Sequence, residues 1–146
     1  MSMEITAVVI GGEKVAKELQ KKGSEIVKEN EIAIKKGALL IEATAKKSMR
    51  GTGTPHTPSA PGEPPAVEFN LLRASITHQF IGGADGVTDA KVGVRSGDDP
   101  DKYNYGFFLE FGTSKMHARP FLLPALNKSM EAIKRFITQG IKSVAR

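Results

Sequence analysis

LRASITHQFIGGADGVTDAKVGVR, residues 72–95, decides the fold class. Leu72–Ile81 and Ala90–Arg95 mix β-branched and aromatic residues with polar ones, which suits half-buried strands. The Gly- and Asp-rich GGADGVTD between them is too long for a two-residue turn, so the stretch predicts an antiparallel hairpin with an extended loop. Upstream lies GTGTPHTPSAPGEPPA, residues 51–66, with five prolines and three glycines. Neither a helix nor a central strand can run through such a segment, and it reads as an extended arm. Its proline density also limits the entropy lost on docking, so the arm is expected to stand away from the core and to order against a neighbouring subunit.

Further toward the start, Val27, Ile34, Ala38, Ile41, Ala45 and Met49 form an apolar stripe opposite Lys28, Lys35, Glu42 and Lys46. The spacing predicts a helix over 25–49, with Ser24 placed to cap it. Val15, Ala16 and Leu19 predict a shorter helix closed by Gly23, after a β-like lead at Ile5, Ala7 and Val9 that Gly11-Gly12 interrupts. Downstream of the hairpin, 96–101 reads as a polar loop and 103–111 as a short helix. Pro120 and Pro124 are tolerable only near a helix start, and beyond them Leu122, Leu126, Met130, Ile133, Ile137, Ile141 and Val144 keep one face apolar. The element order predicts an α+β domain over 1–146, with the long helix and the C-terminal helix packed on a small antiparallel sheet.

Composition narrows the function. The 146 residues contain no cysteine, which excludes disulfides, thiolate metal sites and a cysteine nucleophile. No run approaches the length of a membrane span and the start lacks the pattern of a signal peptide, so the expectation is a protein made in the cytoplasm and without membrane contact. His56, His78 and His117 lack metal-ligand spacing. Asp98, Asp99 and Asp101 lack the later glycine and glutamate of a calcium loop, and GTGTPH lacks the Lys-Ser or Lys-Thr of a phosphate loop. No GxSxG elbow occurs either, so the residues support neither a cofactor nor an enzyme.

Charge is segregated along the chain. Residues 1–50 carry ten bases and seven acids, residues 51–114 four and eight, and residues 115–146 seven and one. The net values, +3, −4 and +6, suit head-to-tail contacts between copies, with the acidic middle of one facing a basic helix of the next. A basic surface at Lys128, Lys134, Arg135 and Lys142 also admits a DNA-binding module as the alternative function.

The most distinctive segment is YNYGFFLEFGTSKMHARPFLLPAL, residues 103–126. Gly112 suits a positive φ, and Arg119, preceding Pro120, is pushed to an extended conformation, so 110–119 should be a tight return. A partly buried Glu110 needs a partner, and Arg119 is the expected one. Tyr103, Tyr105, Phe107, Phe108, Phe111 and Phe121 either nucleate the core or form a subunit contact, since aromatics supply area to both.

Tyr105, Glu110-Phe111-Gly112-Thr113, Ala118-Arg119-Pro120-Phe121 and Pro124-Ala125-Leu126 resemble the motif of the HK97 gp10-like family of tailed phages. The run from Pro58 to Pro65, followed by Leu72-Arg73-Ala74-Ser75-Ile76, resembles the arm and first strand of the same family and of its lambda tail-completion relatives. Phe69-Asn70 departs from the Thr-Gly that many relatives carry there. The resemblance implies a phage or prophage virion protein, acting in tail completion or head–tail joining. It implies a ring built with itself and with neck or tail proteins, DNA passing through the lumen, and a location first in the host cytoplasm and then in the virion neck or tail.

Overall fold

The computed structural model describes residues 12–49, 58–66, 71–82, 88–95 and 100–146. Its elements are α1 (Gly12–Ser48), α2 (Leu71–Ser75), β1 (Ile76–Gly82), β2 (Thr88–Val94), α3 (Pro100–Phe111) and α4 (Leu122–Ala145). This is the α+β arrangement anticipated: a long helix from the first half of the chain, a C-terminal helix, and a two-stranded antiparallel sheet. The β-like lead at 5–9 and the Phe69-Asn70 departure lie outside the described residues.

Three helix boundaries differ from the sequence reading, the smallest difference being that α3 begins at Pro100, inside the expected polar loop 96–101, because proline suits a first helical turn. The expected break at Gly23 does not occur, and α1 runs unbroken for 37 residues, about 55 Å at 1.5 Å per residue. Gly23 does not take a positive φ, and the hydroxyl of Ser24 donates back to Lys21 O instead of capping a new helix. A mid-helix glycine costs only about 1 kcal/mol against alanine, too little to stop a helix that is anchored on both sides. One anchor is Lys22, whose Nζ donates to Val144 O at 2.8 Å and so satisfies a carbonyl in the last turn of α4. Leu72–Ser75, expected to begin the first strand, instead belongs to the helical turn Leu71–Ser75, in which the Ser75 hydroxyl donates to Leu72 O. Leu, Arg and Ala favour helix, so local preference holds until β pairing starts at Ile76.

α1 and α4 run antiparallel. Besides the Lys22 contact, Gly140 faces Glu29, Gly37 faces Ile133, and the hydroxyls of Ser129 and Thr44 meet at 3.5 Å. A β-carbon added at Gly37 or Gly140 would stand 3.1 Å from Ile133 Cγ1 or Glu29 Cβ, so the two backbones approach as closely as small residues permit. The buried positions of α4 are therefore Ala125, Ser129, Gly140 and Val144. Of the larger residues in the predicted stripe, Leu122, Leu126, Ile133 and Ile137 flank the contact half-buried, while Met130 and Ile141 lie exposed. In α1 the contact adds Ala33 and Gly37 to Ala38 and Ala45 and leaves Val27 outside.

The sheet packs one face on α1. Its register pairs Ile76 with Val94, His78 with Val92 and Phe80 with Ala90, and the amide of Arg95 closes the hairpin base on Ser75 O at 2.7 Å. Ile76 is fully buried with Ala45, Met49, Leu109, Phe121 and Ala125, so one core joins the end of α1, the sheet base, α3 and the start of α4. Farther along β1, His78 Nδ1 hydrogen-bonds one carboxylate oxygen of Glu42 while Lys46 donates to the other. Contact with His78 first, and with Lys46 second, holds the Glu42 carboxyl below its usual range. A group lowered in this way stabilises the fold above the ordinary carboxylate pKa, and the contribution disappears as pH falls through the folded value. The melting temperature is therefore expected to drop on acidification below about pH 4, near the free Glu pKa. Glu42→Gln should make that drop shallower in a pH series of thermal melts.

Candidate functional site: the junction of α3 and α4

Both helix ends at this junction are fixed by the segment that stood out in the sequence. α3 begins at Pro100, where a missing N–H costs nothing, and ends on Gly112 at φ +77°. The Gly112 amide donates to Phe108 O at 2.7 Å, the single-bond left-handed cap that closes a helix C-terminus. Thr113 and Met116 then pair in a two-residue bridge, the Lys115 amide donates to Thr113 Oγ1, and the Arg119 amide returns to Leu109 O at 2.6 Å. The chain thus reverses within eight residues.

α4 starts without a capping side chain of its own, since Phe121 occupies the N-cap. Its acceptor comes from α3. Glu110, only 9% exposed, receives the amides of Phe121 at 2.8 Å and Leu122 at 3.0 Å on Oε2, and that of Leu123 at 2.8 Å on Oε1. Pro124 has no N–H, and from Ala125 onward the helix's own carbonyls serve as acceptors. Every amide of the first turn is accounted for by one carboxylate, whose charge also faces the positive end of the α4 dipole.

The expected pairing of Glu110 with Arg119 does not form. Three backbone donors already fill the carboxylate, and Arg119 turns the other way, its Nε donating to Ser59 O at 3.1 Å. The described half of the arm is consequently docked on its own chain rather than extended from it. Ala60-Pro61-Gly62-Glu63 forms a turn with Gly62 at φ +81°, closed by the Glu63 amide on Ala60 O, and the Gly62 amide donates to Ala118 O at 2.9 Å. Pro65 is buried. Residues 51–57 of the arm, with His56, lie outside the described residues. Replacing Arg119 with Ala should cost about 1 kcal/mol, the scale of one side-chain hydrogen bond. Faster amide exchange at Gly62 and Glu63 would accompany that loss.

The motif residues therefore divide by role. Glu110, Gly112, Thr113, Arg119, Pro120, Phe121 and Pro124 build the junction, and Phe121 is completely buried in it. Tyr105 and Phe111 do not join them; with Phe107 and Phe108 they stand 44–67% exposed on α3. Phe107 packs on Phe111 at 4.8 Å and meets Phe108 edge-on at 6.2 Å. Gly106 lies against β2, where a β-carbon would come within 2.8 Å of Val94 Cγ2, so α3 presses its glycine inward and its rings outward. Most of the aromatic cluster is thus surface and not core, the core share falling to Phe121 with Leu109. Lys128, Lys134, Arg135 and Lys142 are all exposed on α4, Lys134 in a pair with Glu131.

No family model, curated protein or solved structure matches the chain. Its own geometry is what bears on function. The role of Glu110 as a helix cap was missed from sequence, although a signal existed: Arg-Pro-Phe-Leu-Leu-Pro opens a helix with no Ser, Thr, Asp or Asn to cap it. Such a start must borrow its acceptor from elsewhere in the fold. His117 is exposed, and among the described residues no group of three His, Asp or Glu side chains converges on a point where a metal could sit. No described helix is long and apolar enough to cross a membrane.

Proposed function

We propose that this chain is a structural subunit of a tailed phage or prophage particle, acting in tail completion or head–tail joining by assembling with copies of itself and with neck or tail proteins. The observation that carries the reading is the pairing of a rigid scaffold with an uncovered apolar surface. Glu110, Gly112 and Phe121 fix α3 in place, and α3 then holds Phe107, Phe108 and Phe111 out to solvent. Aromatic side chains bury about 150–250 Å² each, so these three, about half exposed, offer roughly 300 Å². A patch of about 300 Å² is in the range of the largest apolar patch on a typical monomer, which is often functional. The resemblance of residues 103–126 to the gp10-like motif supplies the particle; the exposed rings supply the reason to assemble.

Sedimentation and negative-stain microscopy at high protein concentration test the proposal. Discrete closed oligomers are expected from the parent chain, with loss of assembly and retention of fold in a Phe107→Ser, Phe111→Ser double variant. A parent chain that stays monomeric under these conditions overturns it.

A second reading, a basic DNA-binding module, rests on Lys128, Arg135 and Lys142. These are spaced by seven residues, so they form one row on the outer face of α4, all exposed. Such a module would bind duplex DNA with an affinity that falls steeply as salt rises. Within a ring the same row could face DNA in the lumen, and binding by assembled particles alone would distinguish that case from an independent module.

A further inference from the structure

A sheet of two strands has two edges, and α3 approaches only the β2 side, through the Gly106–Val94 contact. Among the described residues no strand lies beside β1. The Arg95 amide bonds Ser75 O in a register that sets residue 75 opposite 95, so Thr77, Gln79 and Ile81 turn their backbone groups toward β2. His78, Phe80 and Gly82 therefore turn theirs outward, and such an edge is a template for a further strand. Phe80 and Ile81 stand on opposite faces of β1, each 37% exposed. A strand laid beside them would meet apolar side chains on both faces.

The sequence holds a segment of that character. Residues 5–10, Ile-Thr-Ala-Val-Val-Ile, place Ile5, Ala7 and Val9 on one face of a strand and Val8 and Ile10 on the other, with no charge and no proline. They cannot lie along the β1 edge of their own chain. β1 runs back along α1, with His78 on Glu42 and the Phe80 ring 5.8 Å from Lys35 Nζ. Lys35 is twenty-three residues beyond Gly12, about 35 Å along the helix. Ile10 precedes Gly12 by two residues and reaches at most about 7 Å from it.

We infer that residues 5–10 of one copy add as a strand to the β1 edge of a neighbouring copy, beside His78, Phe80 and Gly82. This rests on the assembly reading above and adds to it a contact separate from the α3 rings. Main-chain hydrogen bonds would supply affinity, and the apolar residues on both faces of the donated strand would cover Phe80 and Ile81. The donated segment and the receiving edge are different surfaces about 35 Å apart on each chain, so the contact is heterologous and can repeat around a ring.

Prolines in the lead test it. In a full-length Ala7→Pro, Val8→Pro variant, adjacent prolines remove an amide from either side of a strand, whichever side faces the edge. The circular dichroism of the variant should match that of the parent, since the lead does not reach its own β1 edge. Its self-association should weaken roughly a hundredfold, the equivalent of two or three net hydrogen bonds. A synthetic peptide of residues 3–12 should then bind the variant one to one and slow hydrogen exchange at the His78 and Phe80 amides, while the same peptide carrying both prolines should do neither. Two results would overturn the inference while leaving self-assembly standing. One is a proline variant that assembles like the parent, as it would if β1 edges paired with each other. The other is a parent peptide that leaves the His78 and Phe80 amides unprotected, as it would if leads paired only with leads. A parent chain that stays monomeric removes the assembly reading itself, and this contact with it.

Discussion

Glu110→Ala is expected to lower the unfolding free energy by about 3 kcal/mol in urea titrations, a large effect for a residue with no ion-pair partner. Three backbone amides lose their acceptor at once, and Phe121, the most buried of them, cannot turn to water because its side chain fills the core. The carboxylate charge facing the N-terminus of α4 is lost as well. Glu110→Gln sharpens the argument. The amide retains one accepting oxygen but points an NH2 at donors, so it should recover only a minor part of the loss. An Arg119→Ala variant, by contrast, should leave the α4 amides untouched. If Glu110→Gln is as stable as the parent, the carboxylate is not the cap and the junction must be held by packing alone.

The contrast between these residues shows where sequence reasoning succeeded and where it stopped. The mix of β-branched, aromatic and polar residues up to Ile81 displayed the strand, and the Gly- and Asp-rich stretch after it displayed the hairpin, because both signals are local. Gly112 was legible for the same reason: a cap needing positive φ leaves a glycine in the sequence. The partner of Glu110 was not legible. An acid and a base nine residues apart suggest an ion pair, but backbone amides carry no sequence signature, and three of them outcompeted a guanidinium. The apolar face of α4 went astray differently. Drawing a stripe through large residues favoured Met130 and Ile141, whereas the contact with α1 selects small residues that allow close approach, and Gly140 and Ser129 do not register as hydrophobic. The exposed aromatics could not have been decided from sequence, since rings serve cores and interfaces alike. Their orientation is a consequence of Gly106, which brings the opposite side of α3 against Val94.

Gly112→Ala should be as damaging as loss of Glu110, at about 3–4 kcal/mol, for reasons that can be separated experimentally. One part is conformational: at φ +77° an L side chain is strained by roughly 1–2 kcal/mol. The other is steric. A β-carbon there would lie 2.8 Å from the Ala118 amide nitrogen and 2.9 Å from Met116 O, both backbone atoms that cannot swing aside. Relief requires opening the Thr113–Met116 bridge or shifting Ala118, which would disturb the Arg119 amide bond to Leu109 O and, through it, the approach of Phe121 to Glu110. Gly62 provides the control. Its φ of +81° is nearly the same, but a β-carbon there meets nothing within 4 Å, so Gly62→Ala should show the conformational part alone, about 1–2 kcal/mol. The difference between the two variants in urea titrations measures the backbone clash. Combining Gly112→Ala with Glu110→Ala should then cost less than the sum of the single changes, because each opens the same junction. Equal effects at Gly112 and Gly62, or strict additivity with Glu110→Ala, would show that the turn and the α4 cap are independent, and that the rings of α3 are not held in place by the pair.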